Sequence, residues 1–196
     1  MKTFRGIAPL TDRRGLTLVE MMVAIAMFGV AMGVIFGFMT RSRRSYTDMS
    51  ARVEYQQNVR GVLGLVSREV RSAGCDPASA GFNTFPLADA TSFQCRMDLD
   101  GDGTIEAVEP AEDVSYTYVA NNRELLRDSG SGAQVILRNV TAVDFRYFDA
   151  AGVELASRPL IAADRAQIRF VEINIAGESE QGEPLNYVTR VFVRNG

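Results

Sequence analysis

From residue 21 to residue 40 the chain carries no charged side chain, and its apolar positions follow no period. At a rise of about 1.5 Å per residue a helix over this stretch spans roughly 30 Å, the thickness of the hydrocarbon layer of a bilayer. After Thr40 the pattern becomes one-sided. Tyr46, Met49, Val53, Val59, Val62, Leu63, Val66 and Val70 recur near helical spacing, with Arg52, Glu54, Arg60, Arg68 and Arg71 mostly between them. This predicts one helix from about Thr17 to Ser72, roughly 80 Å long. Its half at 16–40 is the membrane-spanning half, uncharged from residue 21 onward, and its half at 41–73 lays an apolar stripe on a domain. Ala73-Gly74 is a C-terminal stop, and Pro77 places the chain beyond the helix.

The rest of the chain reads differently. Residues 74–113 are rich in Gly, Pro, Ala, Ser and Asp and are expected to form loops. From 114 onward apolar and polar residues alternate in short runs, at 114–119, 124–127, 134–140, 142–148, 153–155, 166–175 and 185–194, with Asn121-Asn122 and Ala151-Gly152 as turns. An acidic loop at 177–184 joins the last two. The change of phase between Ile168, Phe170 and then Val171, Ile173, Ile175 predicts a bulge. The economical architecture is α+β: a long helix packed on an antiparallel sheet head at 114–196.

Composition narrows the function. The chain has 196 residues and a formal net charge of −3, and it contains no histidine. Imidazole-based general acid–base catalysis and the commonest transition-metal ligand are therefore absent. No nucleophile elbow or phosphate loop is evident, so no enzyme is expected. Residues 1–15 form a basic segment with Lys2, Arg5, Arg13 and Arg14 against Asp12; without it 17 basic residues face 23 acidic ones, a net charge of −6. That balance disfavours nucleic acid as the main ligand.

One carboxylate, Glu20, stands at the head of the apolar run. A lone acid there is costly in lipid and is expected to have a function and a cationic partner. A secretory signal would carry a shorter apolar core with a small-residue cleavage site after it. Here the small residue, Gly15, comes before the apolar stretch. Gly29, Gly33 and Gly37 recur every four residues, a ladder that lets membrane helices approach closely or unwinds the helix locally.

The stretch Arg14-Gly15-Leu16-Thr17-Leu18-Val19-Glu20 resembles the cleavage and methylation motif of type IV prepilins. The resemblance implies a leader at 1–15, cut by a prepilin peptidase between Gly15 and Leu16, and N-methylation of Leu16. It implies that Glu20 neutralises the N-terminal amine of a neighbouring subunit during assembly; the two charges cancel where helices stack in a low dielectric. Major pilins often carry a helix-breaking proline where this chain has Gly37. The order of leader, long helix, loop and sheet is that of the type IV pilin fold. Arg71-Ser72-Ala73-Gly74-Cys75-Asp76-Pro77 and Arg190-Val191-Phe192-Val193-Arg194-Asn195-Gly196 resemble W-type minor pilins. These likenesses imply a single-pass inner-membrane protein with a periplasmic head that later reaches the pilus or cell surface. The partners implied are major and other minor pilins and an inner-membrane assembly platform. A minor pseudopilin of a type II secretion system shares the same N-terminal chemistry, and a calcium-dependent tip adhesin is a third possibility.

In an oxidising compartment Cys75 and Cys95 are expected to pair, closing a loop that gains about 3 kcal/mol from the crosslink. Just beyond, Asp98-Leu99-Asp100-Gly101-Asp102-Gly103-Thr104-Ile105-Glu106-Ala107-Val108-Glu109 matches the twelve-residue calcium loop. Asp98, Asp100 and Asp102 take positions 1, 3 and 5, and Gly103 the turn at 6. Thr104 offers its carbonyl at 7, Glu106 ligates at 9 directly or through water, and Glu109 is the bidentate candidate at 12. Oxygen-only ligands select a hard ion. The flanks depart from the helix–loop–helix pattern, because Pro110 follows at once and no amphipathic helix enters. The expectation is a calcium-stapled loop beside a disulfide.

Overall fold

The computed structural model describes residues 17–106, 108, 111–179 and 182–195, the side chains of residues 44, 45, 47 and 48 apart. The predicted leader and the Gly15–Leu16 junction lie outside the described residues, as does Glu109. The chain divides into two compact units at Thr47 and Asp48. Helix α1 runs from Leu18 to Ser72.

In the first unit, residues 18–43 form an apolar span long enough to cross a membrane, with none of it buried. A Cβ added at Gly29, Gly33 or Gly37 would meet nothing within 4 Å. The helix is unbroken through Gly37. Glycine, unlike proline, keeps its N–H and leaves the hydrogen-bond ladder intact.

In the second unit, α1 buries Tyr55, Val59, Val62, Val66 and Val70, and Ala73 just beyond its end is buried too. The spacing of three and four is that of one helix face. Met49 and Val53, expected on this stripe, are exposed, as is Tyr46 in the first unit; cover begins only at Tyr55. The helix ends on Gly74 at φ +75°, the left-handed conformation expected of a glycine C-cap.

Two antiparallel sheets cover the stripe, where the sequence pattern suggested one. The first has five strands in chain order, β1 (Leu87–Ala88), β2 (Ser92–Arg96), β3 (Asp113–Val119), β4 (Glu124–Asp128) and β5 (Gln134–Leu137). The second has three, β6 (Val140–Phe148), β7 (Phe170–Glu178) and β8 (Pro184–Phe192). A single four-residue helix, α2 (Ala162–Arg165), precedes β7. Strands β1 and β2 lie within the segment expected to be loop. The run at 134–140 is two strands in two sheets, because Asn139 at φ +58° breaks it; asparagine tolerates that conformation better than most residues. Among the described residues the register shifts lie between Val140 and Ala142 in β6 and between Leu125 and Leu126 in β4, not near Ile168. The change of phase there marks where β7 begins. The run at 153–155 makes one isolated bridge, Phe148 to Glu154, and Gly177 and Glu178 belong to β7 instead of the following loop.

The sheets share one core. Phe93 stacks on Tyr116 at 5.0 Å between ring centroids and meets Phe145 edge-on at 4.8 Å. The Phe145 amide donates to the Ala90 carbonyl, and the Tyr147 hydroxyl to Asp89. Two polar contacts set the helix against the sheets. The Tyr55 ring lies against Gly177, where an added Cβ would stand 1.7 Å from the hydroxyl oxygen. Burial, with Tyr187 near it, pushes the Tyr55 hydroxyl up to about 12. On the five-stranded sheet, Glu69 of the helix receives both the Tyr116 hydroxyl and the Arg127 guanidinium, at 2.7 Å from Nη2.

Glu69→Ala leaves Arg127 without a carboxylate at the helix–sheet seam. The expected loss is about 2 kcal/mol, below the 3–5 kcal/mol of a fully buried pair, because Arg127 keeps 21 % of its side chain exposed. Arg138→Ala removes a guanidinium that is 72 % exposed and paired to Glu124; it is expected to cost less than about 1 kcal/mol. Urea denaturation followed by tyrosine circular dichroism measures both, and equal losses would show that Glu69 is not a special anchor.

Candidate functional site

The helix start is closed by its own side chains. The Thr17 amide and hydroxyl both donate to Glu20 Oε2, at 2.9 Å each. The Glu20 amide donates back to Thr17 Oγ1 at 3.3 Å. This is a capping box, with Thr17 at the N-cap and Glu20 three residues on, and it satisfies N–H groups that the first turn leaves orphaned. The Thr-x-x-Glu signal for such a box stands in the sequence beside the charge of Glu20. Both Thr17 bonds fall on Oε2, so Oε1 has no protein donor among the described residues. A carboxylate capped on one oxygen can still accept a cation on the other.

The acidic segment folds as a tight loop between β2 and β3. Asp98, fully buried, accepts from the Gly101 amide at 2.6 Å through Oδ1 and from the Gly103 amide at 3.1 Å through Oδ2. Asp100 Oδ1 accepts from the Asp102 amide, and Asp102 Oδ1 from the amide and hydroxyl of Thr104. Gly101 and Gly103 have φ of +80° and +83°, and a Cβ on Gly103 would press on Ala78 and Ala80.

The central carboxylate is one that the twelve-residue template passes over. Glu112, three residues beyond position twelve, is fully buried and accepts from the amides of Leu99, Asp100 and Glu106. It places a ligand oxygen among those of Asp98 and Asp100, all within 4.8 Å of one another; Asp100, Asp102 and Glu106 form a second such group. Burial raises the Glu112 carboxyl, but the amide donors Leu99 and Glu106 outweigh it and hold the group below its ordinary value. Glu106 is shifted the other way. The Thr104 hydroxyl lowers it, yet Glu112, partial burial and Asp102 together push it above the usual range. Its Oε2 is buried without a hydrogen-bond partner. An all-oxygen group with excess negative charge and one orphaned acceptor suits a hard cation.

Residues 10–36 match the prokaryotic N-terminal methylation motif. This is the prepilin-type cleavage and methylation motif of the type IV pilin superfamily. The long apolar helix followed by antiparallel sheets is the α+β arrangement expected of a type IV pilin. No curated protein matches the chain.

In the second unit, Cys75 and Cys95, expected to crosslink, stand as free thiols. Cys95 alternates inward along β2 with Phe93 and is fully buried, whereas Cys75 is half-buried after the helix exit, lining an open cleft with Arg71 and Phe192. The two side chains serve different surroundings. Burial, with Glu69 and Asp113 close by, pushes the Cys95 thiol up, which suppresses thiolate chemistry.

Iodoacetamide at pH 8 is therefore expected to label Cys75 alone in the native protein and both cysteines after unfolding, as counted by mass spectrometry. Protein that takes no label when unfolded without reductant would carry the disulfide instead.

Proposed function

We propose that this chain is a minor pilin, cleaved by a prepilin peptidase between Gly15 and Leu16, methylated at Leu16 and built into a type IV pilus to prime or cap assembly. The observation that carries this reading is the motif at residues 10–36, with Glu20 capping its own helix through one oxygen and offering the other. In a filament that free oxygen takes the methylated amine of a neighbouring subunit, and the two charges cancel in a low dielectric. Gly29, Gly33 and Gly37, with open space over each, are where a second helix approaches closely.

The minor class is favoured by the head. The two stretches resembling W-type minor pilins meet in space: a Cβ on Gly74 would stand 2.6 Å from the Asn195 carbonyl. A minor pseudopilin of a type II secretion system is the second reading, supported by the same N-terminal motif. In either case the protein is a structural subunit.

The acidic loop is proposed to take calcium as a structural staple. Asp98, Asp100, Asp102 and Glu106 would hold it, with the Thr104 carbonyl, Glu109 at position twelve, and Glu112 beside Asp98. Relief of carboxylate repulsion would lock the link between β2 and β3.

Gly15→Ala is expected to leave the chain at precursor mass with Leu16 unmethylated, and to restore no surface pili in a deletion strain that the native gene restores. A product of mature mass would overturn the prepilin assignment. A deletion strain that keeps its pili and loses protein secretion would favour the pseudopilin.

For the loop, calorimetry on chelator-treated full chain in detergent is expected to register calcium heat. Asp98→Asn and Glu112→Gln should each weaken it about ten-fold or more, and calcium at a hundred times its Kd should stabilise the head by about 2.7 kcal/mol. Absence of both heat and thermal shift would refute the calcium reading.

A further inference from the structure

Three separated stretches come together around Gly74. Its amide donates to the Arg96 carbonyl at 2.9 Å, Cys75 accepts from the Asp98 amide at 2.7 Å, and the Asn195 carbonyl closes over the missing side chain. The helix exit, the first residues of the acidic loop and the C-terminal tail thereby wall an open cleft of about 550 Å³. Its lining includes Arg71, Cys75, Leu99, Phe192, Arg194 and Asn195.

Two features set this cleft apart. Arg71 and Arg194 have no carboxylate partner among the described residues, whereas Arg96, Arg127 and Arg158 each hold one within 3 Å. Beside these cations stand two large apolar side chains, Leu99 at 51 % exposure and Phe192 at 52 %. The volume is within the usual range for ligand clefts, roughly 300–1,000 Å³. Two guanidinium groups select an anion that accepts paired hydrogen bonds. Arg71 stands in the last turn of α1, where the carbonyl end of the helix is negative; a singly charged carboxylate is penalised less there than a phosphate dianion.

We propose that this cleft docks an acidic, apolar-flanked peptide segment of a partner protein, with its carboxylates on Arg71 and Arg194 and its apolar side chains against Leu99 and Phe192. Charge complementarity identifies the occupant: the cleft is a local cationic spot on a head whose processed chain is acidic overall. The proposal does not depend on a cation filling the acidic loop.

The test is fluorescence anisotropy on the full chain in detergent, with a fluorescein-labelled peptide of alternating leucine and glutamate. Saturable binding is expected, lost when glutamine replaces glutamate. Arg71→Glu together with Arg194→Glu should weaken it about ten-fold or more and create affinity for the matching leucine–lysine peptide. Both arginines are exposed and unpaired, so the melting temperature should hold; Leu99→Asp, weakening the glutamate peptide alone, is the second variant. Equal binding of the glutamine peptide, unchanged binding by the charge-reversed variant, or displacement of the peptide by inorganic phosphate or phosphatidylglycerol vesicles would overturn the proposal.

Discussion

The head depends on covering one face of the helix it hangs from. Val59, Val62, Val66 and Val70 are buried, yet valine is a mediocre helix former because its branched side chain is stiff at χ1. Burial of each returns about 1.5 kcal/mol or more. This part of α1 is therefore helical because the sheets lie on it, and the sheets are ordered because the valine stripe completes their core. Glu69 and Tyr55 fix the alignment. The first engages Arg127 and Tyr116 of the five-stranded sheet, and the second occupies the space that Gly177 leaves in the three-stranded one. A helix face with apolar residues alone could slide along its cover; these two contacts define one position.

Around Gly74 the same economy brings function-bearing segments together. A residue with a side chain would be strained at φ +75° and would collide with the C-terminal backbone. Glycine lets the chain leave the helix, bond to β2 and receive the tail in one place. The loop and the cleft meet at that single crossing, which brings the helix exit, β2 and the C-terminal tail to one place.

At the start of α1, the two oxygens of Glu20 are placed differently. Capping by Thr17 holds the carboxylate in a fixed orientation at the first turn, and the remaining oxygen is the one the proposed assembly contact would use. Preorganisation of this kind reduces the ordering that docking would otherwise demand. A lone carboxylate at the head of an apolar helix is thereby tolerable before a partner arrives.

What the sequence determined by itself is whatever rests on local chemistry or on period. The processing motif, the apolar span, the helix stop at Gly74, the strands from β3 to β8 in outline and the turns of the acidic loop are written in neighbouring residues. The tertiary structure decided what depends on partners far along the chain. Leu87–Ala88 and Ser92–Arg96 are strands only because β3 pairs with β2. The run at 134–140 splits because Asn139 turns it toward a second sheet. Glu112 is buried among Asp98 and Asp100 because β3 begins at Asp113 and draws its neighbour under the loop, which a template counting twelve residues cannot register. The Glu69 side chain has no partner in its neighbourhood of the sequence; Arg127, which meets it, stands fifty-eight positions later. Periodicity records which face is covered; only the packed chain shows which charge lies under the cover and what answers it.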